Sequence, residues 1–321
     1  MSLEAYLSIA DLHGHFCNRL AEGLYDSEAR FLFELLQNAD DNSFKKAEAL
    51  NEDPFVAFRM YRDRIVVDCN EDGFTYRNLE AISAVGESSK LESSKSGPQR
   101  YIGEKGIGFK SVFMAAWKVT IQSGDFSFYF KHRRNDAGLG MIRPRWFEPE
   151  EKLPSNMTRM TLLLHEGDSK ELGFERETIR KQLGDLQESL LLFTQNLKEI
   201  RVTLHDDQGE VESSSSFSTS TRDNNRRILV KHNNTNGHET TTSQIYHLIA
   251  REVYNLEKNE NRTYSEEEEG TKAYAKSNVV LGFPLSEDST PIETHQSVYA
   301  FLPVQEAGFR VRSICETPFR P

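Results

Sequence analysis

The sequence predicts an α/β sandwich, with helices packed on an antiparallel run of strands and a β-rich second domain beginning after it. Three patterns point there: apolar residues at helical spacing before residue 41, repeated short runs of alternating apolar and polar residues after residue 54, and a shift to Ser-, Thr- and Glu-rich text after residue 206. Helices and strands alternate without the regular βαβ repeat of a parallel sheet. A chain of 321 residues can bury a sizeable core as one large or two ordinary domains.

The elements follow in order. From Leu3 to about Asp41 the period is helical, with a break near Gly23 to Ser27, where Ser27 can cap a second helix. After Pro54, FVAFRMYRDRIVVDCNEDGF reads as a hairpin turning at Asp63 and Arg64. Tyr76 to Val85 is a short helix, and Gly86 to Tyr101 is a Gly-, Ser- and Lys-rich loop without apolar period. A glycine turn then runs into an apolar helix, followed by the strands VTIQSG, FSFYFKH and RMTLLLH. Glu175 to Asn196 reads as one or two helices, and KEIRVTLHD as the strand that closes a first domain, 1–205. In 206–321, SSSSFSTST and EEEEG are polar and low in complexity, whereas IYHLIAREVYNL, SNVVLGFPL and VYAFLPVQEAGFRVRSI look structured, the last as two strands joined by a Gly-containing turn.

Composition bounds the function. A formal charge of −11 and a pI near 5.4 argue against a general attraction to nucleic acid or anionic membrane, while leaving room for a local basic patch. Cys17, Cys69 and Cys315 are too few and too scattered for a disulfide framework or a metal site, which fits a reducing compartment. The start MSLEAYLSIADLHGHF lacks a signal pattern, and no apolar run reaches membrane-spanning length. An intracellular protein, cytoplasmic or nuclear, is expected.

Three stretches carry chemistry. In ELLQNADD, Phe31, Leu32, Leu35, Leu36 and Ala39 gather on one helix face, with Glu34, Asn38 and Asp41 in an arc of roughly 60° beside it. A Glu there can orient or deprotonate water, and Asn38 offers an amide oxygen to a hard cation such as Mg²⁺. In DCNEDGF, a carboxylate or amide at a strand end can accept from the exocyclic amine of a base, and Gly73 supplies a turn. In GEKGIGFKS, Gly103, Gly106 and Gly108 let backbone N–H groups approach an anion, although the spacing is neither the Walker nor the Rossmann pattern. Each stretch alone also fits a solvated helix face or an ordinary turn.

Their order and context resemble the gyrase, heat-shock chaperone, histidine kinase and mismatch-repair ATPase superfamily, which shares the Bergerat fold. LYDSEARFLFELLQNADDNSF and YIGEKGIGFKSVF look closest to sacsin and No Vein type proteins and their fungal relatives. The resemblance implies a mixed, largely antiparallel sheet covered by helices, ATP and Mg²⁺ as cofactors, and slow ATP hydrolysis driving a conformational, chaperone-like switch. By analogy, Asn38 holds the metal, Glu34 activates water and Asp41 stands near base and ribose. Gly103, Gly106 and Gly108 would wrap the phosphates, with Lys105, Ile107 and Phe109 in the same loop, and Gly86 to Tyr101 would be the lid. Thr158 matches a threonine that helps hold adenine through water.

The adenine site departs from the superfamily's DxGxG. Alignment on Gly73 and Phe74 puts Cys69 in the aspartate's place, one inserted residue restores Asp68, and Asn70 is a third candidate. No downstream basic residue stands out for the γ-phosphate, so turnover is expected to be slow. Relatives continue past VYAFLP, which suggests a fragment or a truncated product. The alternative is a non-catalytic scaffold or interaction module with a degenerate nucleotide site, and a protein client or partner is not identified. His13 and His15 fall on different helix faces, KHRR reads as solvated strand-end charge, and Trp117 and Trp146 as packing residues.

Overall fold

The computed structural model describes residues 30–83, 109–133, 138–141, 143–165, 170–223, 225–255, 275–292, 295–300 and 302–310. Its helices are α1 (Arg30–Asp40), α2 (Lys45–Ala49), α3 (Tyr76–Ser83) and α4 (Lys170–Gly184). The strands of the main sheet are β1 (Phe55–Met60), β2 (Arg64–Cys69), β3 (Ala116–Ser123), β4 (Phe126–Lys131), β5 (Arg145–Trp146), β6 (Thr158–Leu164), β7 (Glu199–His205), β8 (Val211–Asp223), β9 (Arg226–Thr235), β10 (His238–Tyr254) and β11 (Lys276–Leu285). A separate hairpin is formed by β12 (His295–Ala300) and β13 (Leu302–Arg310).

One 11-stranded sheet organises the chain, in the order β11-β10-β9-β8-β7-β1-β2-β6-β3-β4-β5. All its neighbours are antiparallel except β1 and β7. The expected helix-covered α/β sandwich is therefore overturned. The molecule is dominated by its sheet, and the buried residues of its few helices join a core on one face. Pairing continues through residue 206, since β7 and β8 form a hairpin there. The physical reason lies in the edge of β7, whose open N–H and C=O groups demand partners. The polar run SSSSFSTST supplies them as β8, with Phe217 buried beneath it.

The sequence expectation for the first hairpin holds in detail: β1 and β2 turn at Asp63 and pair Val56 with Cys69 and Met60 with Ile65. Because paired residues share a face, Val56, Phe58, Met60, Ile65 and Val67 form one apolar layer. Leu162 on β6, Val119 and Ile121 on β3, Phe128 and Phe130 on β4, and Ile200 and Val202 on β7 extend it. Phe31, Leu32, Leu35 and Leu36 of α1 and Ile179 and Leu183 of α4 close over that layer. Each such side chain contributes about 1.5–3 kcal/mol by leaving water.

Two further expectations change. The apolar helix after the glycine turn is a 3-10 turn, Phe109–Met114, giving way to β3 at Ala116. In the C-terminal hairpin Ala300 pairs with Leu302, so VQEAGFR lies within a strand. The first helix, the lid segment and the loop glycines lie outside the described residues.

Candidate functional site

Helix α1 is placed by its apolar stripe. Phe31, Leu32, Leu35, Leu36 and Ala39 are all buried, while Glu34, Asn38 and Asp41 are half-buried beside them. Its C-terminal end is pinned by Asp40, only 1% exposed, whose carboxylate accepts the backbone N–H groups of Gln195, Asn196 and Leu197 at 2.8–3.1 Å. The side chain of Asn196 donates back to the carbonyls of Asp40 and Asn42. Helix α1 also lies against the 3-10 turn that begins at Phe109. The described end of the glycine loop is thus brought against α1, with Phe109 packed edge-on to Phe113. Gly103, Lys105, Gly106, Ile107 and Gly108 lie outside the described residues.

The chain after α1 clamps the turn that ends β2. The backbone N–H of Asp72 donates to the carbonyl of Ser43 at 2.9 Å. Lys46 donates its backbone N–H to Asp72 Oδ1 at 2.8 Å, and its Nζ to the carbonyls of Asp72 and Ser155 at 2.7 and 2.9 Å. Gly73 completes the turn with φ +88°, a region that resists side chains, and an added Cβ would stand 3.4 Å from Ser123 Oγ. The next residue, Phe74, donates its N–H to that same Oγ.

Strand register sorts the adenine candidates. Cys69 pairs with Thr158, and Thr158 with Ser123, so these three share the helix-covered face. Asp68 faces the other way, between Arg59 and Arg159, and accepts from Arg159 Nε at 2.6 Å. Asn70 is fully buried, and its amide is spent locally: Oδ1 accepts from Phe55 N–H at 2.8 Å and Nδ2 donates to the carbonyl of Asp53 at 2.9 Å. Neither side chain is turned to the covered face with Thr158.

A different carboxyl is. Glu71, 5% exposed, hydrogen-bonds Thr158, which also shares a 2.5 Å hydrogen bond with Ser123. Burial, opposed by that bond and aided by the charge of Asp72, pushes the Glu71 carboxyl up to about 7. Burial and the neighbouring Glu71 also push the Cys69 thiol up, so it stays protonated. Asp72 is held low despite some burial, by hydrogen bonds from Lys46, Ser43 and Lys45 and by the Lys46 charge. Sequence reasoning passed over Glu71 because its face is set by the register of three strands. The one local signal was a glutamate between Asn70 and Asp72 in a turn that needs no second acid.

No group of three or more His, Cys, Asp or Glu side chains is placed to hold a metal among the described residues. The half-buried amide of Asn38, one helical turn from Glu34, is a donor set suited to Mg²⁺ carried mainly by phosphate and water oxygens.

No family model matches the chain. It is similar to the protein NO VEIN of Arabidopsis thaliana, 34% identical over 192 residues, covering 56% of this chain and 7% of that protein. It is also similar to the chaperone protein HtpG of Chlorobium phaeobacteroides, 30% identical over 145 residues, covering 38% of this chain and 23% of that protein. The chain therefore spans a small part of either relative. No helix among the described residues is long and apolar enough to cross a membrane.

Proposed function

We propose that this chain binds ATP on the helix-covered side of the β2 and β6 ends, hydrolyses it slowly, and serves as a conformational switch of the chaperone type. The observation that carries this reading is the latch between the turn that ends β2 and the segment that follows α1, made by Asp72 with Ser43 and Lys46. Helix α1 brings Glu34, Asn38 and Asp41, the Asn70–Gly73 turn is latched to Lys46, and β6 brings Thr158 against Glu71. The likeness to HtpG supports the chaperone class, and the likeness to NO VEIN supports kinship with a larger eukaryotic protein.

Each residue has a distinct role in this reading. Asn38 offers its amide oxygen to Mg²⁺, which offsets charge on the triphosphate. Glu34 orients the attacking water and takes its proton. Glu71, with Thr158 and Ser123, meets the base: its carboxyl accepts from an exocyclic amine, a role that neither Asp68 nor Asn70 is turned to fill. Asp41 stands at the ribose end, one turn beyond Asn38.

Titration calorimetry of the full chain with ATP tests the reading. Saturable binding that weakens when Mg²⁺ is chelated is the expected result, with Glu34→Ala retaining binding and losing phosphate release. Unchanged turnover in that variant removes Glu34 from the mechanism. Absence of both heat and thermal shift up to millimolar ATP favours the scaffold with a degenerate site, for which the buried, protonated Cys69 on the covered face is the motivating observation.

A further inference from the structure

The sheet face opposite the helices has a charge unlike that of the whole chain. Register places Arg59, Arg64, Lys118, Lys131, Arg159 and Arg201 on it, across β7-β1-β2-β6-β3-β4. Against these six cations stand Asp68 and Glu199 on the face, Asp63 at the rim beside Arg64, and Glu151, whose charge reaches Arg159. A chain of formal charge −11 therefore concentrates a positive surface on one side. The long side chains stay in reach of solvent: Arg59, Arg64 and Arg201 are 34%, 40% and 46% exposed. Among the described residues, the buried side chains of α1 and α4 join the core on the other face.

We infer that this open face binds single-stranded nucleic acid. Three features select that occupant over an acidic polypeptide. Neutral hydroxyls of Thr120, Thr161 and Thr203 share the face with the cations, and phosphate oxygens accept from such donors as well as from charged ones, though more weakly. Arg201 sits over the Phe55 ring at 4.1 Å and Lys118 over Tyr129 at 4.5 Å, whereas Tyr61 is already stacked on His205 and covered by Arg64. Guanidinium groups and rings are surfaces on which bases stack, an interaction that a carboxylate side chain does not add. Six strands spaced about 4.8 Å apart make a flat path of about 24 Å, enough for a short single-strand site of about four nucleotides. The face shares none of its residues with the nucleotide site proposed above, so the two readings stand or fall separately.

Fluorescence anisotropy of the full chain with labelled oligothymidylate of about 20 nucleotides tests the inference. Four neutralised phosphates predict that affinity falls roughly 50-fold between about 50 and 200 mM salt. The double variant Lys118→Gln/Lys131→Gln is expected to weaken binding roughly tenfold at the lower salt and to flatten the salt slope. Lys45→Gln/Arg77→Gln, the same change of charge on the helix side, is expected to leave binding intact. Equal weakening by both pairs would show a non-specific charge effect and overturn the inference, as would no binding at low salt. Polyglutamate competing as well as the oligonucleotide at equal charge assigns the face to acidic polypeptide instead. Self-association abolished by the Lys118 and Lys131 pair assigns it to a second copy of the chain.

Discussion

The two faces of the central sheet are made by alternate residues of the same strands, yet they differ in nearly every physical respect. The covered face buries Val56, Phe58, Ile65 and Val67, and polar groups buried there include Asp40, on three backbone N–H groups, and Thr158, between Ser123 and Glu71. The open face keeps its charges half in water, as mutual pairs such as Arg159 with Asp68 and Arg201 with Glu199. A single step along β2, from Asp68 to Cys69, moves from one regime to the other. Polar substitutions should therefore be costly on the covered side and mild on the open side.

The largest contrast should come from Asp40→Ala. It leaves the N–H groups of Gln195, Asn196 and Leu197 without their acceptor, at about 1 kcal/mol each, so urea unfolding should show a loss of about 3 kcal/mol. Helix α1 would lose its anchor to the segment before β7, and ATP binding should weaken with it. A loss under about 1 kcal/mol would mean the covered face tolerates an orphaned polar group, and the contrast between faces would break.

Glu71→Gln should follow, with a pH dependence that sharpens the comparison. Its folded-state value of about 7 lies above the ordinary 4.5, so the folded chain holds the proton more tightly than the unfolded chain. Stability conferred by the protonated form is full below about 4.5, falls as pH rises through about 7, and levels off beyond. The variant should be near-neutral at pH 4 and gain up to about 3 kcal/mol at pH 8 relative to the parent, read by thermal unfolding across that range. Parallel pH curves for parent and variant would place Glu71 in solvent. The same variant should weaken ATP binding if Glu71 reads the base.

The smallest effect is expected from Asp68→Asn. The carboxylate holds two half-exposed arginines, so its loss should cost about 1 to 2 kcal/mol and leave ATP affinity within about twofold. A tenfold loss of ATP affinity would return Asp68 to the nucleotide site and undo the register argument.

The elements with strong local period were legible. The stripe Phe31, Leu32, Leu35, Leu36 and Ala39 is buried as a helix face should be, and the β1–β2 hairpin turns at Asp63. The β8 to β10 region was read too cautiously because serine and asparagine have weak strand preference and the strands are only partly buried. A local signal was nonetheless present. Asn236 and Gly237 both take positive φ, 50° and 82°, the two-residue turn that joins β9 to β10. Asp40 was passed over for Asp41 because adjacent acids on a helix look alike until the partners of each are known.

The sequence alone determined which residues could be helix or strand, where the first hairpin turns, and that Glu34 and Asn38 stand one turn apart on α1. Those properties depend on neighbours within a few residues, where steric and periodic rules act. Tertiary structure decided that the strands join one continuous sheet, that Glu71 rather than Asp68 turns its carboxyl to Thr158, and that scattered arginines and lysines gather on one open face. Side chains alternate every residue along a strand, so the pairing partners of β2, β3 and β6 set what each one meets, and those partners lie up to a hundred residues away.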